Sequence, residues 1–441
     1  MTGRRGTPDS SPTSSARPSR TARHAGALAA CAALIAGCGT TPGTDGGSDD
    51  GTVRVMTWAP ENTGATNKPG MPATARAYAK WINRHGGIGG RRLTVLTCND
   101  HNDSVGAAKC ARRAAAEHVV AVVGSYSQFG DSFLAPLESA GIPYIGGYGV
   151  TADEFTGPYS YPVNGGQPAL LAGLGRALAE ECGAVALVRP DSIAGDELPA
   201  LLDSGLTASG HPAAVDQLAA EDATEYGGQA ERALRSATAG TTGEGCVVPA
   251  LGDRTDTFMD SFRRVRAEHA PVRTATVLGS VDQTEIDATG GASGPYEGAY
   301  ITGWYPVASD PRWKPMKQMI GEEAFGDNRI DPADAGVQTT WIAYTVLRAV
   351  LERIGEGEVS ADTVRHTLDG GLRVSTGGLT PTLHWPDETR LASVGFPRLV
   401  NADVTLQVVR DGRLVAVRPD GTGSAAAGGD MTRTLESADV G

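Results

Sequence analysis

The stretch VVAVVGSYSQFGD, Val119 to Asp131, carries a run of small and β-branched apolar residues into Ser125, Ser127 and Gln128. Hydroxyl and amide groups placed there could act as a nucleophile, cradle a phosphate or hold a small ligand. The nucleophile reading fails on the flanking residues. A nucleophile elbow needs Gly-x-Ser-x-Gly, whereas Ser125 and Phe129 stand in the two glycine positions around Ser127. No His-Glu-x-x-His occurs, and the eight histidines are scattered. The segment HGGIGGR, His85 to Arg91, has the glycines of a dinucleotide turn, but a strand pattern follows where a helix should begin. Paired carboxylates carry little weight in a chain with 51 acidic residues. These features point away from an enzyme and towards binding without turnover or cofactor. An ordinary strand-to-helix turn is the plain alternative.

What the six cysteines can do depends on the compartment. Residues 1–24 are rich in Ser, Pro and Arg, and AGALAACAALIAG, Ala25 to Gly37, adds 13 apolar or small residues. This is the pattern of a secretory signal, too short for a bilayer span of about 20 residues. The junction IAGC, Ile35 to Cys38, resembles the lipobox of bacterial lipoproteins, where the cysteine becomes the lipidated first residue of the mature chain. Residues 1–37 are therefore read as signal peptide, Cys38 as the lipidation site and 38–51 as a flexible tether. The folded body is expected outside the cytoplasm, anchored to the outer face of the cytoplasmic membrane. Cys31 leaves with the signal, so Cys98, Cys110, Cys182 and Cys246 remain for an oxidising compartment. Four cysteines allow three pairings. Cys98 and Cys110 flank a turn into a helix, while Cys182 and Cys246 each open an apolar strand-like run. The expected bridges are Cys98–Cys110 and Cys182–Cys246. A zinc site is disfavoured, because no Cys-x-x-Cys occurs and no His lies at ligand spacing.

The elements that must position these residues alternate along the chain. A length of 441 residues with 40% apolar content suits two domains. The net charge of −13 argues against a nucleic-acid partner, which meets a basic face. From Val53, VRVMTW reads as a strand, PATARAYAKWINRHGG as a helix stopped by Gly86, and RLTVLTC as a strand. Helix SVGAAKCARRAAAEH, strand VVAVV, helix DSFLAPLESAG and strand IPYIGG continue the rhythm. Helices follow at 167–181, 196–208, 226–238 and 256–268, with strands at 184–188, 246–250 and 275–279. Such alternation implies parallel sheets covered on both faces, and the number of units exceeds one sheet, so two α/β lobes are expected. After Tyr300 come helices near 312–323, 334–355 and 361–369, then a strand-rich region from Leu379 to Gly421. There VTLQVVRDGRLVAV reads as a hairpin turning at Asp411-Gly412. Residues 419–441 are rich in Gly, Ala and Ser and are expected to be disordered.

INRHGGIGGRRLTVLTCND, followed by SVGAAKCARRAAAEHVVAVVGSYS, resembles the start of the branched-chain amino-acid-binding proteins of bacterial ABC importers. GVTADEFTG resembles the next segment of that family, and HWPDETRLASVGFPRLV its closing turn and strand. Order and spacing agree from about residue 53 to 418. The resemblance implies a type I periplasmic-binding fold: two doubly wound parallel-sheet lobes joined by three crossovers, with the ligand between them. On it, residues 52–164 with 303–375 form lobe 1, and residues 165–302 with 386–418 form lobe 2. It implies a monomeric receptor that closes on an amino acid or related small polar molecule and delivers it to an ABC permease. An extracytoplasmic sensor of the same fold, with no transport role, is the alternative.

The resemblance also suggests site residues. Ser125, Ser127 and the N–H groups of the Ser127–Gln128 turn are expected to receive a ligand carboxylate, helped by the positive end of the following helix. Thr151, with Val150 before it, matches the position contacting carboxylate and amine, and Tyr148 walls the cleft. TADE is also a capping box, with Thr151 as N-cap and Glu154 reaching back. Both roles hold if the side chain caps while the backbone binds. In the second lobe the chain departs from the family. Ala194 replaces an aromatic residue in DSIAGD, and Val281 stands where an acid pairs with the ligand's ammonium. Asp282 beside it, or Asp253, would then serve, while Trp341 and Tyr344 are read as core.

Overall fold

The computed structural model describes residues 51–63, 66–192, 195–220, 223–240, 244–266, 272–277, 280–386, 395–417 and 428–436. The signal segment, Cys38, the tether up to residue 50, Ala194 and the side chain of Asp253 lie outside the described residues. Among the described residues no helix is long and apolar enough to cross a membrane. The span Gly46–Gly441 is one compact unit.

The first half of the chain builds a parallel sheet in which each strand is followed by a helix. In chain order the elements are β1 (Thr52–Trp58), α1 (Gly70–Arg84), β2 (Arg92–Cys98), α2 (Ser104–Ala116), β3 (Ala121–Val123), α3 (Gly130–Ser139), β4 (Tyr144–Ile145), α4 (Asp153–Thr156) and β5 (Ser160–Tyr161). The strand order is β2-β1-β3-β4-β5. Successive side chains of a strand point to opposite faces, and β1 and β3 show it. Val53, Val55, Ala121 and Val123 join one core with Ile82, while Met56, Trp58 and Val122 join another with Ala107, Cys110 and Phe133. Both faces are therefore apolar, which explains the unbroken run VVAVV.

The second sheet follows through α5 (Gly166–Glu181), β6 (Ala184–Pro190), α6 (Leu198–Ala208), β7 (Val215–Ala219), α7 (Gly227–Thr238), β8 (Gly245–Pro249), α8 (Thr255–Arg266), β9 (Val272–Val277), α9 (Gln283–Ala288) and β10 (Tyr300–Gly303). The chain then returns to the first lobe with α10 (Lys314–Glu323), α11 (Ala335–Ile354) and α12 (Ala361–Asp369), α11 packing on α1, β3 and β4. It crosses back for β11 (Asp403–Arg410) and β12 (Arg413–Ala416), giving the order β12-β11-β10-β9-β8-β6-β7. The strands from β7 to β10 pair in parallel, and β11 and β12 add antiparallel. Three passages thus join the two sheets, after β5, β10 and α12. Asp411 and Gly412 have φ of 52° and 69°, the left-handed pair that a two-residue hairpin turn requires.

Both disulfides are present, Cys98–Cys110 within the first lobe and Cys182–Cys246 within the second, each with Cα atoms 5.8 Å apart. The sequence reading did not place β5, α9 or β10, and two further features depart from it. Strand β7 was not expected, because it lies at the sheet edge and most of its residues are exposed, so no apolar pattern marks it. The expected disorder of residues 419–441 is corrected at 428–436. There β13 (Gly428–Asp430) pairs with β11, and α13 (Thr432–Glu436) packs on α5 and α6. Met431 and Leu435 are buried, and Asp430 accepts the Thr432 N–H at 3.0 Å. Two apolar side chains and a cap outweigh a composition that reads as tail.

Candidate functional site

The carboxyl ends of β1, β3 and β4 meet at one edge of the first sheet, where open parallel sheets hold ligands. Ser125 knits these ends together. Its Oγ accepts the Trp58 N–H at 3.1 Å, and its carbonyl accepts the Tyr148 N–H at 3.0 Å and the Tyr144 hydroxyl at 3.1 Å. It is fully buried. Ser125 is therefore reassigned from ligand contact to the tie between three strands. Gly124 before it, at φ 59°, lies so close to α11 that an added Cβ would fall 2.9 Å from Thr340 Cα.

Ser127 and Gln128 open the turn into α3. The Ser127 hydroxyl accepts the Phe129 N–H at 3.3 Å. It also offsets part of the burial that raises the Asp100 carboxyl. The N–H groups of Ser127 and Gln128 have no acceptor among the described residues. They stand at the head of a ten-residue helix, where anions are favoured. Gln128 is exposed, with its amide donating to the Tyr126 hydroxyl at 3.0 Å.

Tyr148 belongs to an aromatic floor. Its ring centroid lies 5.0 Å from Tyr126 and 5.0 Å from Trp304, both edge-to-face, and all three residues are buried. Trp304 arrives from the second passage between the sheets and donates to the Gly166 carbonyl at 2.8 Å, which holds it at the hinge. Lys68 Nζ sits 5.7 Å from the Tyr148 centroid and 3.4 Å from Asp334.

The Val150–Thr151 segment differs from expectation. Glu154 is buried, and its carboxylate accepts the N–H groups of Gly149, Val150 and Thr151 at 3.1, 3.0 and 3.2 Å. The Thr151 hydroxyl also donates to it, at 3.4 Å. The expectation that Thr151 leaves its backbone to a ligand is thus corrected: its N–H and its hydroxyl both go to Glu154, as does the Val150 N–H. Half of the capping box forms, since Glu154 reaches back, but no Thr151 side-chain cap returns the bond. Burial pushes the Glu154 carboxyl up to about 7, against the pull of those donors. A Cβ on Gly147 would overlap Glu154 Oε2 and the Tyr144 ring, so glycine is what lets the carboxylate in.

From the second lobe, Asp282 caps α9 by accepting the Glu285 N–H at 3.1 Å. Burial raises its carboxyl to about 6, and the facing Asp334 and Asp331 add to the rise while Lys68 opposes it. Thr284 beside it donates to Asp331, a bond from one lobe to the other. Ser127, Gln128, Tyr148 and Asp282 thus all stand at the cleft edge of their lobes. Lys68, Tyr126, Trp304, Asp331 and Asp334 were missed by sequence reasoning. Only Trp304 had a signal, an aromatic residue directly after a strand at a passage between lobes. Trp341 and Tyr344 pack in the core against Tyr78. A cavity of about 330 Å³ is lined by Thr284, Asp331, Pro306, Val307, Ser309 and Gln407.

The profile of the periplasmic binding protein family matches residues 62–393. The chain belongs to that family. Periplasmic binding proteins work outside the cytoplasm and bind solutes, many of them for ABC transporters. No curated protein sequence matches the chain. Among solved structures, an extracellular ligand-binding receptor from Verminephrobacter eiseniae is similar at 16% identity and a TM-score of 0.67, covering 82% of this chain and 99% of its own. A possible leucine/isoleucine/valine-binding protein from Rhodopirellula baltica is similar at 13% identity and 0.65, covering 83% and 97%. A solute-binding protein of an ABC transporter from Rhodopseudomonas palustris, in complex with 3,4-dihydroxybenzoic acid, is similar at 15% identity and 0.64, covering 85% and 100%. At these identities the likeness carries the two-lobed fold and no ligand.

Proposed function

We propose that this periplasmic binding protein is a lipid-anchored receptor that takes an amino acid or a related small polar molecule between its lobes and delivers it to an ABC permease. One observation carries the ligand reading: two N–H donors at Ser127 and Gln128, without acceptors among the described residues, head α3 on one lobe, while Asp282 stands at the edge of the other. Donors on one side and a carboxylate on the other suit a molecule with an anionic and a cationic end. The floor of Tyr126, Tyr148 and Trp304 gives its body an apolar face. With the Thr151 N–H held by Glu154, the ligand carboxylate would rest on the Ser127–Gln128 turn. Cys38 would supply the anchor through the IAGC junction.

A thermal-shift screen with amino acids, amides, short peptides and polyols tests this reading. A ligand at 100 times its dissociation constant stabilises the native state by about 2.7 kcal/mol. A shift with amino acids supports the proposal. Shifts only with uncharged polyols would leave the fold and overturn the zwitterion reading. Silence across the panel would favour the sensor.

A further inference from the structure

The cavity of about 330 Å³ that Thr284 and Gln407 line shares no residue with the Ser127–Gln128 turn, Tyr148 or Asp282. Three parts of the chain wall it. Thr284 at α9 and Leu414 and Val415 on β12 belong to the second lobe, Asp331 and Pro332 to the first, and Pro306 and Val307 to the passage that follows β10. Small-ligand sites favour such junctions and are mostly apolar, with a few polar groups that fix orientation.

Most of the polar groups here are already engaged. The Thr284 hydroxyl donates to Asp331, which also accepts the Ala333 N–H at 2.8 Å. Gln283 accepts the Leu414 N–H at 2.8 Å, Gln338 donates to the Pro332 carbonyl at 3.0 Å, and Lys317 donates to the Ala308 carbonyl at 2.6 Å. Ser309 and Arg413 are exposed to solvent. Gln407 is different. It is 1% exposed, and its Nε2 donates to the Tyr305 carbonyl at 3.2 Å and to Thr405 Oγ1 at 3.0 Å. Its Oε1 is buried and receives no donor. A buried acceptor left unmatched is costly, and it calls for a partner.

The surrounding charges do not select an ion. Lys317 and Arg413 line the cavity with Asp331, and Asp287 and Glu297 stand beside it, held by Gln283 Nε2 and the Gly412 N–H. Two cations and three acids, none of them buried, give neither sign the field.

We propose that this cavity is a second binding site, for a small uncharged alcohol or phenol with an apolar body. The body lies against Pro306, Val307, Pro332, Leu414 and Val415, and the hydroxyl donates to Gln407 Oε1. Because the walls come from both lobes and from a passage between them, an occupant favours the arrangement in which Thr284 meets Asp331. The site therefore acts on closure without touching the solute, and the inference does not depend on which solute the cleft takes.

Calorimetry on the whole protein with 2-naphthol and 2-methoxynaphthalene tests it, since only the first carries a hydroxyl donor. 2-Naphthol is expected to bind, and 2-methoxynaphthalene to bind about fivefold more weakly. Ala308 and Ala333 are half-buried positions of the lining, so Ala308→Trp and, separately, Ala333→Trp should fill the space and abolish binding. Gln407→Met keeps the side chain's length without the acceptor and should bind both probes alike, a comparison that stands even if a tryptophan variant fails to fold. Thr284→Val, with the lobes less firmly joined, should bind 2-naphthol several-fold more weakly. No binding of 2-naphthol, or undiminished binding in both tryptophan variants, would overturn the proposal, the latter by placing the probe on the aromatic floor of the cleft. So would a preference for 2-naphthol that survives Gln407→Met. Unchanged affinity in Thr284→Val would overturn the link to closure.

Discussion

Glu154 should make stability depend on pH in a defined window. Its carboxyl rises from an ordinary value of 4.5 to about 7 in the fold, so the native state holds a proton that the unfolded chain releases. The stabilisation is complete below about 4.5 and is lost as pH climbs through about 7. Over that range the loss amounts to roughly 3 kcal/mol. Denaturant unfolding at pH 5 and pH 8 should show it, and Glu154→Gln should flatten the difference. Asp282 predicts the opposite trend for binding. A ligand ammonium needs the ionised carboxylate, so affinity should fall as pH drops through about 6. Asp282→Asn should bind about tenfold more weakly, with that pH dependence gone, as titration calorimetry would report. The Ser127–Gln128 turn was legible because a buried strand ended on polar residues before a helix. Glu154 was legible as a cap, yet its capture of three N–H groups was not, since composition does not reveal which carboxylate is buried. Lys68, Asp331 and Asp334 gave no signal, because their roles arise only when distant loops meet.

Helices and buried strands were the most readable elements, and the reason is physical. The span of α5, read as 167–181 and found at Gly166–Glu181, follows from apolar residues at helical spacing. The long α11, read as 334–355 and found at Ala335–Ile354, begins where Asp334 accepts the Val337 N–H at 2.9 Å. Strand β7 and the segment β13–α13 escaped, because an edge strand need not bury a face and a five-residue helix has little periodicity. The disulfides belong to this scale too. Cys182–Cys246 closes a separation of 64 residues and Cys98–Cys110 one of 12. Chain-entropy reasoning assigns about 4 kcal/mol to the first and about 3 kcal/mol to the second. Cys182→Ala with Cys246→Ala should therefore lower the denaturant midpoint more than Cys98→Ala with Cys110→Ala.

For the molecule as a whole, the lobe-to-lobe bond from Thr284 to Asp331 makes closure measurable. Thr284→Val removes that donor without touching the Ser127–Gln128 turn or Asp282. Its release rate for ligand should rise about threefold to tenfold in stopped-flow, while the association rate stays near wild type. An unchanged release rate would mean that this bond does not hold the closed state. The two-lobed plan was legible from the strand–helix rhythm, whereas the three passages between lobes came only from the family resemblance, because a crossing looks locally like any loop. Each lobe carries one disulfide and, among the described residues, no disulfide joins the lobes. The covalent rivets stiffen the two jaws and leave the hinge unwelded. Reducing conditions would shorten the working life of the jaws without changing the stroke of the hinge.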